Sequence, residues 1–123
     1  MVRFLTTLRS AANGIVWYTD YARGQLGRLD PATGQVREFP SPGGAESGPY
    51  GIAIAPDGRI WYDESQTDQL VAFDPSTGRS ETLAIPTRGA VVRNMSVDST
   101  RARVWLALSG TQRLGMIDLA PSR

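Results

Sequence analysis

The stretch at residues 59–65, RIWYDES, places two adjacent carboxylates, Asp63 and Glu64, directly after two large aromatic side chains. Such a pair can supply a general acid and a general base to one reaction. Neighbouring residues of a strand point to opposite faces, so one pocket uses both acids only where the strand has already ended. The interpretation that we favour for the pair is a solvated strand end.

The composition limits which chemistry is open to this chain. Its 123 residues include no cysteine and no histidine. Thiol nucleophiles, Ser-His-Asp arrangements and histidine-ligated metal sites are therefore excluded. Any general base or metal ligand supplied by this chain has to be an aspartate or a glutamate.

Charge and hydropathy limit the partners. The 13 basic and 12 acidic residues are scattered along the chain and form no basic face, so we expect no nucleic-acid partner. No apolar run approaches the roughly 20 residues that cross a bilayer, so we expect no membrane partner. The N-terminal segment is a poor signal peptide because Arg9 interrupts its apolar patch, which favours the cytoplasm.

An internal repeat organises the sequence. Tryptophans at positions 17, 61 and 105 are spaced by 44 residues, and aspartates at 30, 74 and 118 share that spacing. A period of this length is typical of propellers and solenoids. Other positions follow the same period: Leu26, Leu70 and Leu114; Leu29, Phe73 and Ile117.

Turn and strand signals favour the propeller. The segments LDPATGQV and FDPSTGRS share D-P-x-T-G, in which proline fixes the first corner of a turn and glycine supplies its left-handed residue. Apolar residues nowhere follow a helical period over ten residues. The second repeat predicts four antiparallel strands at 50–55, 59–64, 69–74 and 80–86. The sequence therefore predicts an all-β fold, a partial β-propeller of four-stranded antiparallel blades.

The blades do not complete a ring. A single domain over 1–123 is expected, with blades at 2–42 and 48–86 and an incomplete blade at 91–119, about two and three-quarter blades in all. We expect 2–7 to form the innermost strand of the first blade and the three periodic tryptophans to lie in the core. Open blade faces leave apolar surface exposed, so we expect self-association that completes the ring or a fragment of a larger propeller.

Three motifs carry a family resemblance that covers nearly the whole chain. They are P-Y-G-I-A-I-x-x-D-G-R-I-W-Y, Q-L-G-R-L-D-P-x-T-G and V-V-R-N-M. This pattern resembles the virginiamycin B lyase-like (streptogramin lyase) β-propellers, which form seven-bladed rings. On that resemblance, the chain corresponds to the last three blades.

The resemblance implies a chemistry, namely Mg²⁺-assisted elimination across the ester C–O bond of a cyclic streptogramin antibiotic. It also implies a histidine in a P-H-G-I stretch and glutamates that hold the metal. Tyr50 and Arg93 stand at the histidine position in the second and third repeats, and Ser109 stands near the last-blade glutamate. The resemblance favours Glu64 as catalytic acid and Mg²⁺ ligand. If the chain is active, Arg93 is the second catalytic candidate, binding a carboxylate or carbonyl.

The predicted topology gathers several polar residues on one rim of the channel, the usual place for a small-molecule ligand. The substrate-binding candidates there are Tyr21, Tyr50, Asp63 and Asn94. An unpaired inner-strand arginine is costly to bury, so Arg93 indicates either an anionic ligand or a structural ion pair. Two alternatives to a lyase stay open: a non-catalytic binding or scaffold propeller, and a gluconolactonase-like hydrolase with Asn94 as a metal ligand.

Overall fold

The computed structural model describes residues 6–119 and consists of eleven strands in three antiparallel sheets. Each sheet is one blade, and its strands are hydrogen-bonded in chain order. Blade 1 contains β1 (Thr7–Ser10), β2 (Val16–Asp20), β3 (Gln25–Leu29) and β4 (Val36–Pro40). Blade 2 contains β5 (Pro49–Ile54), β6 (Ile60–Glu64), β7 (Gln69–Asp74) and β8 (Arg79–Ala84), and blade 3 contains β9 (Val92–Asp98), β10 (Arg103–Leu108) and β11 (Arg113–Asp118).

The predicted fold class is confirmed, because the described residues form two four-stranded blades and one three-stranded blade. The shared turn motif behaves as expected. Asp30 accepts a hydrogen bond from the amide of Ala32 at 3.0 Å, Asp74 accepts the equivalent bond from Ser76 at 2.9 Å, and Gly34 has a φ of 74°. None of the residues from 6 to 119 forms a helix with the length and hydropathy needed to cross a membrane.

The innermost strand of blade 1 lies later in the chain than we expected. β1 runs over Thr7–Ser10, and Arg9 pairs with Trp17 as Ala53 pairs with Trp61 in blade 2. Most of the predicted strand at 2–7 lies outside the described residues. The pairing with β2 begins at Thr7, the last residue of the predicted strand.

Two apolar clusters hold the three blades together. In the first, Trp17 and Leu26 of blade 1 pack with Ile52, Tyr62 and Phe73 of blade 2. The Trp17 ring lies 5.8 Å from that of Phe73, which allows a favourable aromatic pair. The second cluster joins the opposite face of blade 2 to blade 3 and includes Trp61, Leu70, Met95, Val104 and Leu106.

Trp105 departs from the core position predicted for the periodic tryptophans. Trp17 and Trp61 are buried, but Trp105 is 39% exposed. Trp17 and Trp61 each pack against the blade that follows their own, and none of the residues from 6 to 119 forms a blade that covers Trp105. The expectation that Trp105 lies in the core is therefore wrong. The repeat determines the direction of the side chain but not whether a neighbouring blade covers it.

Candidate functional site

The inner strands of blades 2 and 3 meet closely at one rim of the array. A Cβ atom on Gly51 would lie 2.5 Å from the carbonyl oxygen of Val92 and 3.3 Å from the amide nitrogen of Asn94. Only glycine allows this approach, since real Cβ atoms do not come so close to backbone atoms. The contact places Tyr50, next to Gly51, beside the segment that contains Arg93 and Asn94.

Two tyrosines from adjacent blades form an aromatic pair at the same rim. The rings of Tyr21 and Tyr50 are 6.0 Å apart in an edge-to-face arrangement. The side-chain amide of Gln66 donates a hydrogen bond to the Tyr21 hydroxyl at 2.5 Å. Tyr21 is exposed and Tyr50 half-buried, so the pair presents aromatic surface to solvent.

Arg93 and Asn94 are both exposed at this rim. Arg93 forms no ion pair within the part of the chain that the structure describes, so the structural ion pair considered above is not present there. Asn94 is held from blade 1, because its side-chain oxygen accepts a hydrogen bond from Arg9 at 3.0 Å. The same guanidinium also donates to the carbonyl of Met95 at 3.3 Å.

Asp63 is fully buried behind this rim, between the inner strands of blades 2 and 3. One carboxylate oxygen accepts the amide of Gly51 at 2.7 Å, and the other accepts the amide of Val92 at 3.1 Å. Burial raises the pKa of Asp63 to about 7, and the two amide donors offset only part of that rise. The side chain therefore bridges two blades and is directed away from solvent.

Glu64 points the other way, towards the loop that follows blade 1. Ser41 donates its hydroxyl proton to Oε2, the amide of Gly43 donates to the same oxygen at 2.7 Å, and Thr67 donates to Oε1 at 2.9 Å. The side chain is 1% exposed. It lies on the wall of a cleft of about 320 Å³ between that loop and the outer strands of blade 2.

The expected solvated strand end is thus wrong for both acids. Asp63 and Glu64 do point to opposite faces, as adjacent strand residues must. Each face is covered, however, because β6 lies between two neighbouring blades, and the covering atoms are hydrogen-bond donors. The structure brings Tyr21, Tyr50, Arg93 and Asn94 to one rim, buries Asp63 behind that rim and directs Glu64 elsewhere.

The surroundings of Glu64 do not suit a cation. Both carboxylate oxygens face the positive ends of O–H and N–H dipoles, and Mg²⁺ requires several oxygen lone pairs directed at one point. Within residues 6–119, no group of three or more acidic side chains is placed to hold a metal ion. The groups around Glu64 therefore do not supply the ligands that the expected Mg²⁺ ion would need.

Two pairs of hydroxyl residues were missed, although the sequence carries their signal. Ser65 donates to the carbonyl of Gly48 at 2.7 Å, and Ser109 donates to the carbonyl of Val91 at the same distance. Thr67 and Thr111 each donate to the strand-end carbonyl three residues earlier, at 3.4 and 3.3 Å. Both pairs follow the 44-residue period, so extending the repeat to hydroxyl side chains would have found them.

The fold and the site together define a class of protein, the partial β-propeller. Its blades are joined by buried polar bridges, and its rim carries exposed tyrosine, arginine and asparagine side chains. The model of the virginiamycin B lyase family matches residues 3–122. The chain belongs to the virginiamycin B lyase family.

Solved structures agree with this assignment. The chain is 25% identical to a selenomethionine-substituted virginiamycin B lyase from Staphylococcus aureus, with a TM-score of 0.82 over 92% of the chain. It is 23% identical to a streptogramin B lyase, with a TM-score of 0.83 over 93%. A catalytically inactive histidine-to-alanine variant of the S. aureus enzyme with quinupristin is 21% identical, with a TM-score of 0.76 over 93%.

The match covers only part of each relative. The chain spans 37% of the length of the first two structures and 41% of the third. No curated protein matches the chain.

Proposed function

We propose that this chain is a ligand-binding segment of a virginiamycin B lyase-like propeller, and that it binds its ligand without opening an ester. The rim of Tyr21, Tyr50, Arg93 and Asn94 would hold a small molecule that carries a carboxylate or carbonyl oxygen. The observation behind the proposal is that both carboxylates are already engaged in hydrogen bonds within the protein. Asp63 and Glu64 both accept hydrogen bonds from buried protein donors, so neither is free to remove a proton at the rim.

The exposed rim residues suit binding. Arg93 offers a planar, permanently charged donor group for a carboxylate or carbonyl oxygen. The edge-to-face pair of Tyr21 and Tyr50 offers aromatic surface for an apolar or aromatic part of the same ligand. Asn94 adds an amide donor, since Arg9 occupies its oxygen.

Mg²⁺-assisted carbon–oxygen lyase activity on a cyclic ester is the second candidate, and membership in the family is the observation that favours it. Glu64 would be metal ligand and acid, and Arg93 would contact the ester carbonyl. Glu64 would first have to release the hydroxyls of Ser41 and Thr67 and the amide of Gly43. A gluconolactonase-like hydrolase would need the oxygen of Asn94, which already accepts Arg9.

Quinupristin, the compound bound to the inactive relative, is the probe that separates these functions. We expect saturable NMR shifts on titration and unchanged cyclic quinupristin after incubation with Mg²⁺. Arg93→Ala should weaken binding about tenfold, and Arg113→Ala, an exposed arginine of the same blade, should leave it unchanged.

Chromatography with mass detection gives the opposing outcomes. A ring-opened product of unchanged mass that requires Mg²⁺ would establish elimination. A product heavier by one water would establish hydrolysis. Either product would overturn the binding proposal, and so would equal binding by wild type and Arg93→Ala.

A further inference from the structure

A wedge-shaped cavity lies at the opposite rim, between blades 1 and 2. It encloses about 770 Å³, a volume within the range of small-molecule sites. Trp17, Ile15 and Ile60 supply apolar walls, and Asn13 and Gln35 supply amide groups. This rim carries the β1–β2 and β5–β6 turns, so it lies at the far end of the blades from Tyr50 and Arg93.

Two arginines face the wedge side by side. Trp17 pairs with Arg28 across β2 and β3, and Arg28 pairs with Arg37 across β3 and β4, so the three side chains form one row on one face. Like charges directly opposite each other on a sheet are destabilising. A negatively charged group placed between the two guanidinium groups would provide compensation for this repulsion.

The protein supplies no such compensation among its described residues. Neither Arg28 nor Arg37 forms an ion pair within residues 6–119, and the described wall of the wedge includes no acidic side chain. Arg37 lies over the Phe39 ring, with its guanidinium carbon 5.2 Å from the ring centroid. This contact orients the guanidinium but leaves its charge unneutralised.

The row is specific to blade 1. The equivalent row of blade 2 reads Trp61, Ala72 and Glu81, because Trp61 pairs with Ala72 and Ala72 pairs with Glu81. The blade template therefore does not need an arginine at either position. The two arginines are a feature of the wedge and not of the repeat.

We infer that the wedge between blades 1 and 2 is a second ligand site, which binds an organic oxyanion. Arg28 and Arg37 bind the phosphate or carboxylate group, and Trp17, Ile15 and Ile60 contact its apolar body. Two guanidinium forks match the geometry of either oxyanion. This inference does not rest on the proposed function, since the two rims share no residue.

Phenyl phosphate and benzoate are the probes, titrated against chloride at matched ionic strength and followed by NMR and melting temperature. We expect saturable binding of at least one of them, with shifts at Trp17, and the stronger probe identifies the preferred oxyanion. Arg28→Ala with Arg37→Glu installs the residues of blade 2, so the variant should fold. It should weaken binding by more than about tenfold.

The free protein supplies a second readout. Without an anion, the double variant should melt at the same temperature as the wild type or higher, because the like-charge pair is gone. Added phenyl phosphate should then raise the melting temperature of the wild type alone. Arg88→Ala removes one positive charge outside the wedge and should bind as the wild type does.

Two results would overturn the inference. One is equal binding of both probes by wild type and double variant. The other is loss of probe binding in Arg93→Ala, which would place the anion at the opposite rim. Failure of quinupristin to bind leaves this test unaffected, so the two proposals fail separately.

Discussion

Blade 2 turns one face towards blade 3, and blade 3 turns the equivalent face away from blade 2. Trp61 and Leu70 on the first face are 4% and 6% exposed. Trp105 and Leu114, one period later, are 39% and 79% exposed. The residue types are the same, so the neighbouring blade determines burial.

The apolar residues of the two faces are of the same type at equivalent repeat positions, but the polar residues are not. Asp63 on the covered face joins Gly51 to Val92, and Ala107 stands at its repeat position on the open face. In blade 1, Thr19 stands at this position and donates to the carbonyl of Tyr50 at 2.7 Å. Polar bridges therefore occur where one blade follows another within the described chain.

The largest expected effect is the difference in stability between replacing the buried Trp61 and replacing the exposed Trp105. Trp61→Ala should lower the free energy of unfolding by about 3–5 kcal/mol, because it empties a filled core position. Trp105→Ala should cost less than about 1 kcal/mol, since its site is already open to solvent. Urea denaturation followed by circular dichroism measures both, and equal losses would contradict the assigned faces.

A change of pH tests the bridge on the covered face. The pKa of Asp63 rises from 3.8 to about 7 on folding, so its contribution to stability is complete below pH 3.8 and is lost as the pH rises through 7. The loss is at most about 4 kcal/mol. Asp63→Asn should remove this part of the pH dependence of unfolding.

Asp74→Asn is the control for that measurement. Asp74 is hydrogen-bonded to Ser76, which lowers its pKa, so its contribution has the opposite sign and is lost as the pH falls. A pH profile of Asp63→Asn that matches the wild type between pH 4 and 7 would contradict the burial of the Asp63 charge.

The smallest change in stability is expected on the open face. We propose that a second copy of the chain covers it with its own first blade, where Leu8 is 53% exposed although its equivalents Ile52 and Met95 are buried. The mass from sedimentation should rise with concentration. Leu114→Ser should abolish that rise at a cost below about 0.5 kcal/mol.

Leu83→Ser is the matched control, because Leu83 is 51% exposed on β8, away from both open faces. Its association should equal that of the wild type. A wild-type mass that stays that of a single chain at every concentration would reject self-association.

The repeat made most of the fold predictable from sequence. Strand β6, predicted at 59–64, is observed at Ile60–Glu64, and β7 is observed where it was predicted, at Gln69–Asp74. Tryptophan and turn signals are local, so they can be recognised in the sequence without knowledge of the neighbouring blades. The same locality explains why the tryptophan period could not predict the exposure of Trp105.

The site was harder to predict because its contacts join distant parts of the chain. Glu64 is bound by Ser41 and Gly43 from the preceding blade, and Asp63 is bound by Val92 from the following one. Nothing within RIWYDES indicates those donors. The alternation of a strand did predict that the two acids separate, and that part of the reasoning is sound.

The backbone amides of Gly51 and Val92 both donate hydrogen bonds to the buried carboxylate of Asp63. The Gly51 bond lies within blade 2, but the Val92 bond crosses from blade 3, so the Val92 hydrogen can exchange with deuterium from the solvent only when blades 2 and 3 separate or the chain unfolds. This backbone position thus acts as a built-in reporter of how often adjacent blades come apart. Its exchange rate would follow that opening in the unmodified protein.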